Sequence, residues 1–185
     1  MRGALISLLL VGACASDPAL RKEPLPPLTE AQARLFDDGV DLMEDPAALE
    51  GRWYDEWSQD LERRLSESDE VVVGTVRTVR ADVDLSRRTS YRVVFAVERV
   101  LRGKPGKELT LASREGAVGY SSMERYRERL LERRFVAFIK RAGDESAPDV
   151  RHFHLTPPSP QLDRRLERFE ADQRPQVIKV IEHSH

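Results

Sequence analysis

Cys14 is the only cysteine in the 185-residue chain, so no intrachain disulfide can form. A domain of this size does not need one, because it can fold on a hydrophobic core. Aromatic residues are scarce, at 6%. Charge of one sign is also missing: 30 basic residues stand against 32 acidic ones, for a net charge of -2. A dedicated nucleic-acid binder normally shows a clear basic excess, so that class is excluded as an expectation. No apolar stretch reaches the roughly 18 residues that a membrane-spanning helix needs. Phosphate-binding loops, dinucleotide glycine motifs and clustered thiolates are absent too, and no cofactor is expected.

What is present is a balanced mixture, 40% hydrophobic and 34% charged. Such a composition can bury a core and still coat its surface, which argues against general disorder. The basic residues are mostly arginine, as in Arg125-Tyr126-Arg127 and Arg133-Arg134. Planar guanidinium groups suit carboxylates and phosphates, but on a chain this charged they read first as solvated faces.

The N-terminus accounts for the lone cysteine. Met1-Arg2 gives a positive start, and Ala4–Val11 is an apolar run of signal-peptide length, too short to cross a bilayer. Val11-Gly12-Ala13-Cys14 follows, one aliphatic residue and two small ones before cysteine. This tetrapeptide resembles the lipobox of bacterial lipoproteins. The resemblance implies cleavage before Cys14, a diacylglyceryl group on its thiol, and acylation such as palmitate on the new amine. Two or more acyl chains hold a protein on a membrane where one would exchange. The residue after Cys14 is Ala15, not aspartate. In Gram-negative families that implies an address at the outer membrane of the cell envelope. The other readings are an ordinary secretory signal and a cytosolic chain with a buried helix.

The sequence divides into five parts. Residues 1–13 read as signal peptide and 14–28 as a lipidated cysteine with a proline-rich tether, expected to lack structure. Residues 29–66 read as N-terminal helices. Thr29 and Gln32 form a capping box. Asp45-Pro46 is expected to open a second helix carrying Leu49, Trp53, Trp57, Leu61 and Leu65 at steps of four. Residues 67–156 read as a β domain with an inserted helix. Its strands are Val71–Val76, with Gly74 marking a bulge or close approach, Tyr91–Val97 with period-two alternation, Leu109–Leu111, Phe135–Ile139 and Arg151–Leu155. Ser121 with Glu124 is expected to cap the inserted helix. Residues 157–185 hold a helix opened by Ser159-Pro160, then Val177–Ile181 as a final strand or docked tail. Short connections favour antiparallel pairing. The expected class is α+β: a small antiparallel β-barrel, or a strongly bent sheet, with appended helices.

One stretch carries a family rhythm: Ser68-Asp69-Glu70-Val71-Val72-Val73-Gly74-Thr75-Val76, then Tyr91-Arg92-Val93, then Val97-Glu98-Arg99-Val100-Leu101-Arg102-Gly103. It resembles exported bacterial domains related to the OB-fold of tissue inhibitors of metalloproteinases and netrin-like modules, over roughly residues 68–155. The resemblance implies that fold and a binding role. The inhibitors act through a mature N-terminal cysteine in disulfide and metal contacts, so their inhibitory residues do not carry over to this chain.

Chemistry-bearing residues are few. His152-Phe153-His154 puts two imidazoles on one strand face, expected outward, with Phe153 and Leu155 to the core. His183 and His185 repeat the spacing at the C-terminus, and together the four could bind zinc or copper. Trp53 and Trp57 form either a core stripe or an aromatic binding face. Asp37-Asp38-Gly39 with Asp41, Glu44 and Asp45 lacks the spacing of a calcium loop and reads as a solvated turn. Gly119-Tyr120-Ser121-Ser122-Met123 lacks the second glycine of a hydrolase nucleophile turn. The expectation is therefore a non-enzymatic lipoprotein held to the membrane through Cys14. It would serve as an adaptor for an envelope protein or, alternatively, capture a small molecule, polysaccharide or metal. A structural envelope component with no discrete site is the third reading.

Overall fold

A computed structural model describes residues 23–144 and 147–173. The signal peptide, Cys14, Val177–Ile181, His183 and His185 lie outside the described residues. In chain order the elements are α1 (Glu30–Leu35), β1 (Gly39–Val40), a 3-10 turn (Pro46–Ala48), α2 (Arg52–Glu67), β2 (Glu70–Val83) and β3 (Thr89–Arg102). They continue with β4 (Glu108–Arg114), α3 (Tyr120–Tyr126), a second 3-10 turn (Arg127–Arg129), β5 (Arg134–Ala142), β6 (Val150–Thr156) and α4 (Pro160–Gln173).

The strands form one six-stranded sheet in the order β1-β6-β5-β2-β3-β4. All pairs are antiparallel except β1–β6, where Gly39 and Val40 run parallel to His154 and Leu155. The class is α+β as expected, and the sheet is strongly bent, curling until β4 approaches β6 without pairing to it. Register shifts at Val71/Val72, Val73/Gly74 and Val76/Thr78 bend β2 against β3. At Gly74 the close approach is real. A Cβ there would lie 2.1 Å from the Ala96 carbonyl oxygen, so no larger residue fits without moving backbone.

Both faces of the sheet's centre are covered. On the concave side Tyr91, Val93, Phe95, Leu109, Leu111, Phe135, Ile139, Phe153 and Leu155 meet Met123 and Leu130 from the α3 region. On the convex side Val71, Val73, Val136 and Phe138 meet Leu35 and Phe36 of the α1 region, Leu61 and Leu65 of α2, and Leu162 and Leu166 of α4. The unbroken apolar run Phe135–Ile139 is thus a strand buried on both faces.

The helix starts are mixed. The Thr29–Gln32 capping box forms, with both bonds at 3.2 Å. Ser159 accepts from the Leu162 amide at the head of α4. Asp45, however, caps only the 3-10 turn. Gly51, at φ 53° and ψ -130°, interrupts the chain, and α2 starts at Arg52. Ser121 is exposed and caps nothing. Gly119 is the N-cap of α3, and Ser122 instead accepts from the Val40 amide and donates to the Gly119 carbonyl. The tether's last residues also depart from expectation. Leu25 N–H donates to Pro148 O at 2.9 Å and Gly143 N–H to Pro26 O at 3.1 Å, docking this segment on the domain.

Candidate functional site

The site begins with the acidic turn between α1 and β1. Asp38 adopts φ 56°, a left-handed conformation that aspartate tolerates better than most residues. This turn drops two carboxylates onto β6. Asp38 N–H donates to Phe153 O at 2.9 Å, and Phe153 N–H returns a bond to Asp38 Oδ1 at 3.0 Å. Asp38 Oδ2 meets His152 Nδ1 at 3.0 Å, and Asp37 Oδ1 meets His154 Nδ1 at 2.8 Å. Asp37 Oδ1 also accepts from the Gly39 amide. On its other side the Asp37 carbonyl takes the Gly119 N–H at 2.7 Å. Gly39 and Gly119 meet so closely there that a Cβ on Gly119 would stand 2.5 Å from Gly39 Cα.

The histidines are therefore not outward, as the sequence alternation suggested. They do share a face opposite Phe153 and Leu155, but α1 and the Asp37-Asp38 turn cover that face, leaving His154 only 6% exposed. Burial lowers the His154 pKa, helped by the nearby Arg64 cation and opposed by Asp37. Its Nδ1 meets the Asp37 carboxylate, and its Nε2 is left without a hydrogen-bond partner among the described residues. Burial likewise raises the Asp38 carboxyl, against the pull of its bond to His152. Arg64 is itself buried, and its Nε–H donates to the Leu35 carbonyl at 3.0 Å. Burial pushes its pKa down, yet a guanidinium keeps its charge.

Beside this network opens a cleft of about 650 Å³. Pro24, Leu25 and Leu28 line it, together with Ala117 and Val118 from the segment before α3. Ala33 and Phe36 from the α1 region, with Asp37, Asp38 and His152, also line it. Arg114 and Asp144 pair at 2.7 Å at the cleft's edge. Most of the lining is apolar with a few convergent polar groups, the usual character of a ligand pocket.

The tryptophans stand elsewhere. Trp57 packs against the convex core and Tyr54, while Trp53 is 58% exposed with the Arg52 guanidinium 4.7 Å from its ring centroid. Neither lines the cleft. Among the described residues no group of three or more His, Cys, Asp or Glu side chains is placed to hold a metal ion. Among the same residues no helix is long and apolar enough to cross a membrane.

Sequence reasoning missed Asp37 and Asp38 as partners of the histidines, and Arg64 as the buried cation near them. The available signal was a paired acid motif and a His-x-His strand in one chain, more than a hundred residues apart. The chain matches no protein-family model, and no curated protein is significantly similar to it.

Proposed function

We propose that this chain is a lipoprotein of the bacterial cell envelope, anchored through Cys14 and destined for the outer membrane, that captures an apolar ligand in the cleft above the Asp38–His152 pair. The observation that carries the reading is the cleft's lining. The cleft is open, and its lining is largely apolar with Asp37, Asp38 and His152 among the few polar groups, as small-ligand sites are. Pro24, Leu25 and Leu28 belong to the segment that follows the lipobox, so the ligand seat lies next to the tether. Nothing in this role requires catalysis, a cofactor or a metal. A zinc or copper site at His152 and His154 would have to displace two aspartates and recruit His183 and His185.

A protein partner is the second reading. Val83 and Leu85, on the β2–β3 hairpin, are 65% and 106% exposed, and such side chains are available for docking an envelope protein.

The test has two arms. Metabolic labelling with radioactive palmitate is expected to mark the wild type and not Cys14→Ala, and only the variant should leave the membrane. Native mass spectrometry of the detergent-solubilised wild type is expected to show a small-molecule adduct that Ala33→Trp, which fills the cleft, removes. An unlabelled wild type defeats the anchor. An adduct untouched by Ala33→Trp, or none, turns the reading toward the protein partner.

A further inference from the structure

The charges around the cleft are unevenly satisfied, and that imbalance selects a ligand class. Asp38 has both carboxylate oxygens engaged, Oδ1 by the Phe153 amide and Oδ2 by His152. Asp144 is paired with Arg114. Asp37 differs: Oδ1 takes both the Gly39 amide and His154, and among the described residues Oδ2 takes no hydrogen bond. Arg64 is the buried cation on that side; its Nε–H donates to the Leu35 carbonyl, and it attracts Asp37 through space without an ion-pair contact among the described residues. The polar hollow that adjoins the cleft adds Asp84 and Glu115 against Arg88. Acids therefore outnumber bases around the opening, and one oxygen of Asp37 takes no donor from the described residues and is left to solvent or a ligand.

From this we infer that the cleft takes an apolar chain ending in a cationic ammonium group, seated with the cation at Asp37 and the chain between Leu25, Leu28 and Val118, and that it rejects anionic amphiphiles of fatty-acid type. An ammonium brings three N–H donors and no acceptor, which suits a carboxylate oxygen with a vacant lone pair. Charge-assisted bonds of this kind are shorter and about twice as strong as neutral ones. Apolar walls lower the local dielectric and strengthen both the attraction for a cation and the repulsion of an anion. A carboxylate headgroup in the same place would face Asp37 and Asp38, with Arg114 already paired and Arg64 buried and bonded to the Leu35 carbonyl. This inference rests on the cleft being a ligand site, as proposed above, and adds the charge of the ligand.

The test compares three probes of equal chain length, octylammonium, octanoate and 1-octanol, by calorimetric titration at neutral pH. The protein is the full chain carrying Cys14→Ala. Octylammonium is expected to bind at least about tenfold more tightly than octanoate, a preference one charge-assisted bond can supply. Octanol should fall between them. Asp37→Asn, which keeps an acceptor oxygen but removes the charge, should bring the octylammonium-to-octanoate ratio close to one. Octanoate binding as well as octylammonium, or an unchanged ratio in Asp37→Asn, overturns the inference while leaving the cleft reading intact. Failure of all three probes to bind overturns the cleft reading itself. If Asp37→Asn does not fold, the wild type still decides. Nuclear Overhauser contacts from the octylammonium α-methylene to the ring protons of Phe36 and His152 support the seating. Contacts there from the terminal methyl alone reverse it.

Discussion

The two faces of β6 are both covered, and they are covered for opposite reasons. On the concave face Phe153 and Leu155 are fully buried because they are apolar and meet other apolar side chains. On the convex face His152 and His154 are covered because two aspartates and a helix lie across them. The first kind of burial is non-directional and scales with area, at about 25 cal/mol per Å². The second exchanges water for specific partners, and each such bond contributes only about 0.5–1.5 kcal/mol net. The concave face should therefore carry stability, and the convex face should carry geometry: it fixes where the acidic turn, β1 and the polar lining of the cleft sit.

The largest expected effect tests the concave side. Phe153→Ala removes a fully buried ring and leaves a cavity, which typically costs about 3–5 kcal/mol. Urea denaturation should register this as a lower midpoint with an unchanged slope. Asp38→Ala comes next. It strands the buried Phe153 amide and the His152 Nδ1 without their acceptor, at a cost of about 1–3 kcal/mol. Asp38→Asn retains an acceptor oxygen and a residue suited to φ 56°, and it relieves the burial of a charge, so it should cost clearly less than Asp38→Ala. If Asp38→Ala cost as much as Phe153→Ala, the division between the faces would collapse.

The apolar face of β6 was legible in the sequence, as were the stripes of α2 and α4 that cover the convex core, but the cover over the histidines was not. Period-two alternation puts Phe153 and Leu155 on one face and the histidines on the other, and that assignment holds. Alternation does not say what covers the second face. The cover comes from Asp37-Asp38-Gly39, over a hundred positions upstream, held at the sheet edge by β1, which is two residues long and parallel. No local pattern announces so short a strand. The acidic turn looked solvated because abundant charge is the ordinary property of this chain, and only the distant histidines make these two acids different. Local signals fared better where the physics is local. The Thr29–Gln32 box, the Ser159 cap and the Gly74 close approach depend on neighbours within a few residues or on a backbone too tight for a Cβ. Ser121 failed as a cap because tertiary demand intervened: the Val40 amide needed an acceptor, and Ser122 supplied it.

A gentler test varies pH. With its pKa held below the ordinary 6.5, His154 takes up a proton in the unfolded chain before it does so in the native one. Its share of stability is complete above pH 6.5 and declines as the pH falls from there toward the depressed native value. Asp38 has the opposite sign. Its raised native value means the folded carboxyl protonates first, so acid below that value and above 3.8 relieves a penalty. Urea midpoints measured from pH 8 downward should therefore drop on first acidification, and His154→Gln should flatten that first drop. A wild-type curve level through pH 6.5 and below would show that the convex network tolerates a charged His154.

The smallest effect compares an acid–base pair in the network with one outside it. Arg77, in the outer half of β2, meets Glu132 at 2.7 Å, closer than the 3.0 Å between His152 and Asp38. Distance alone would rank the Arg77 pair as the stronger. Its side chains are 52% and 67% exposed, however, against 15% and 9% for the histidine and Asp38. Water solvates both ions whether or not they touch, and holding two long side chains in place costs rotamer entropy, so such pairs are worth about 0.2–1 kcal/mol. A double-mutant cycle with Arg77→Ala and Glu132→Ala should return a coupling in that range, falling further in high salt. The matching cycle with Asp38→Ala and His152→Ala should return a larger coupling that salt barely moves. Removing water, more than shortening the contact, is what gives the acidic turn its hold on β6. Equal couplings in the two cycles would mean that burial adds nothing to the Asp38–His152 pair.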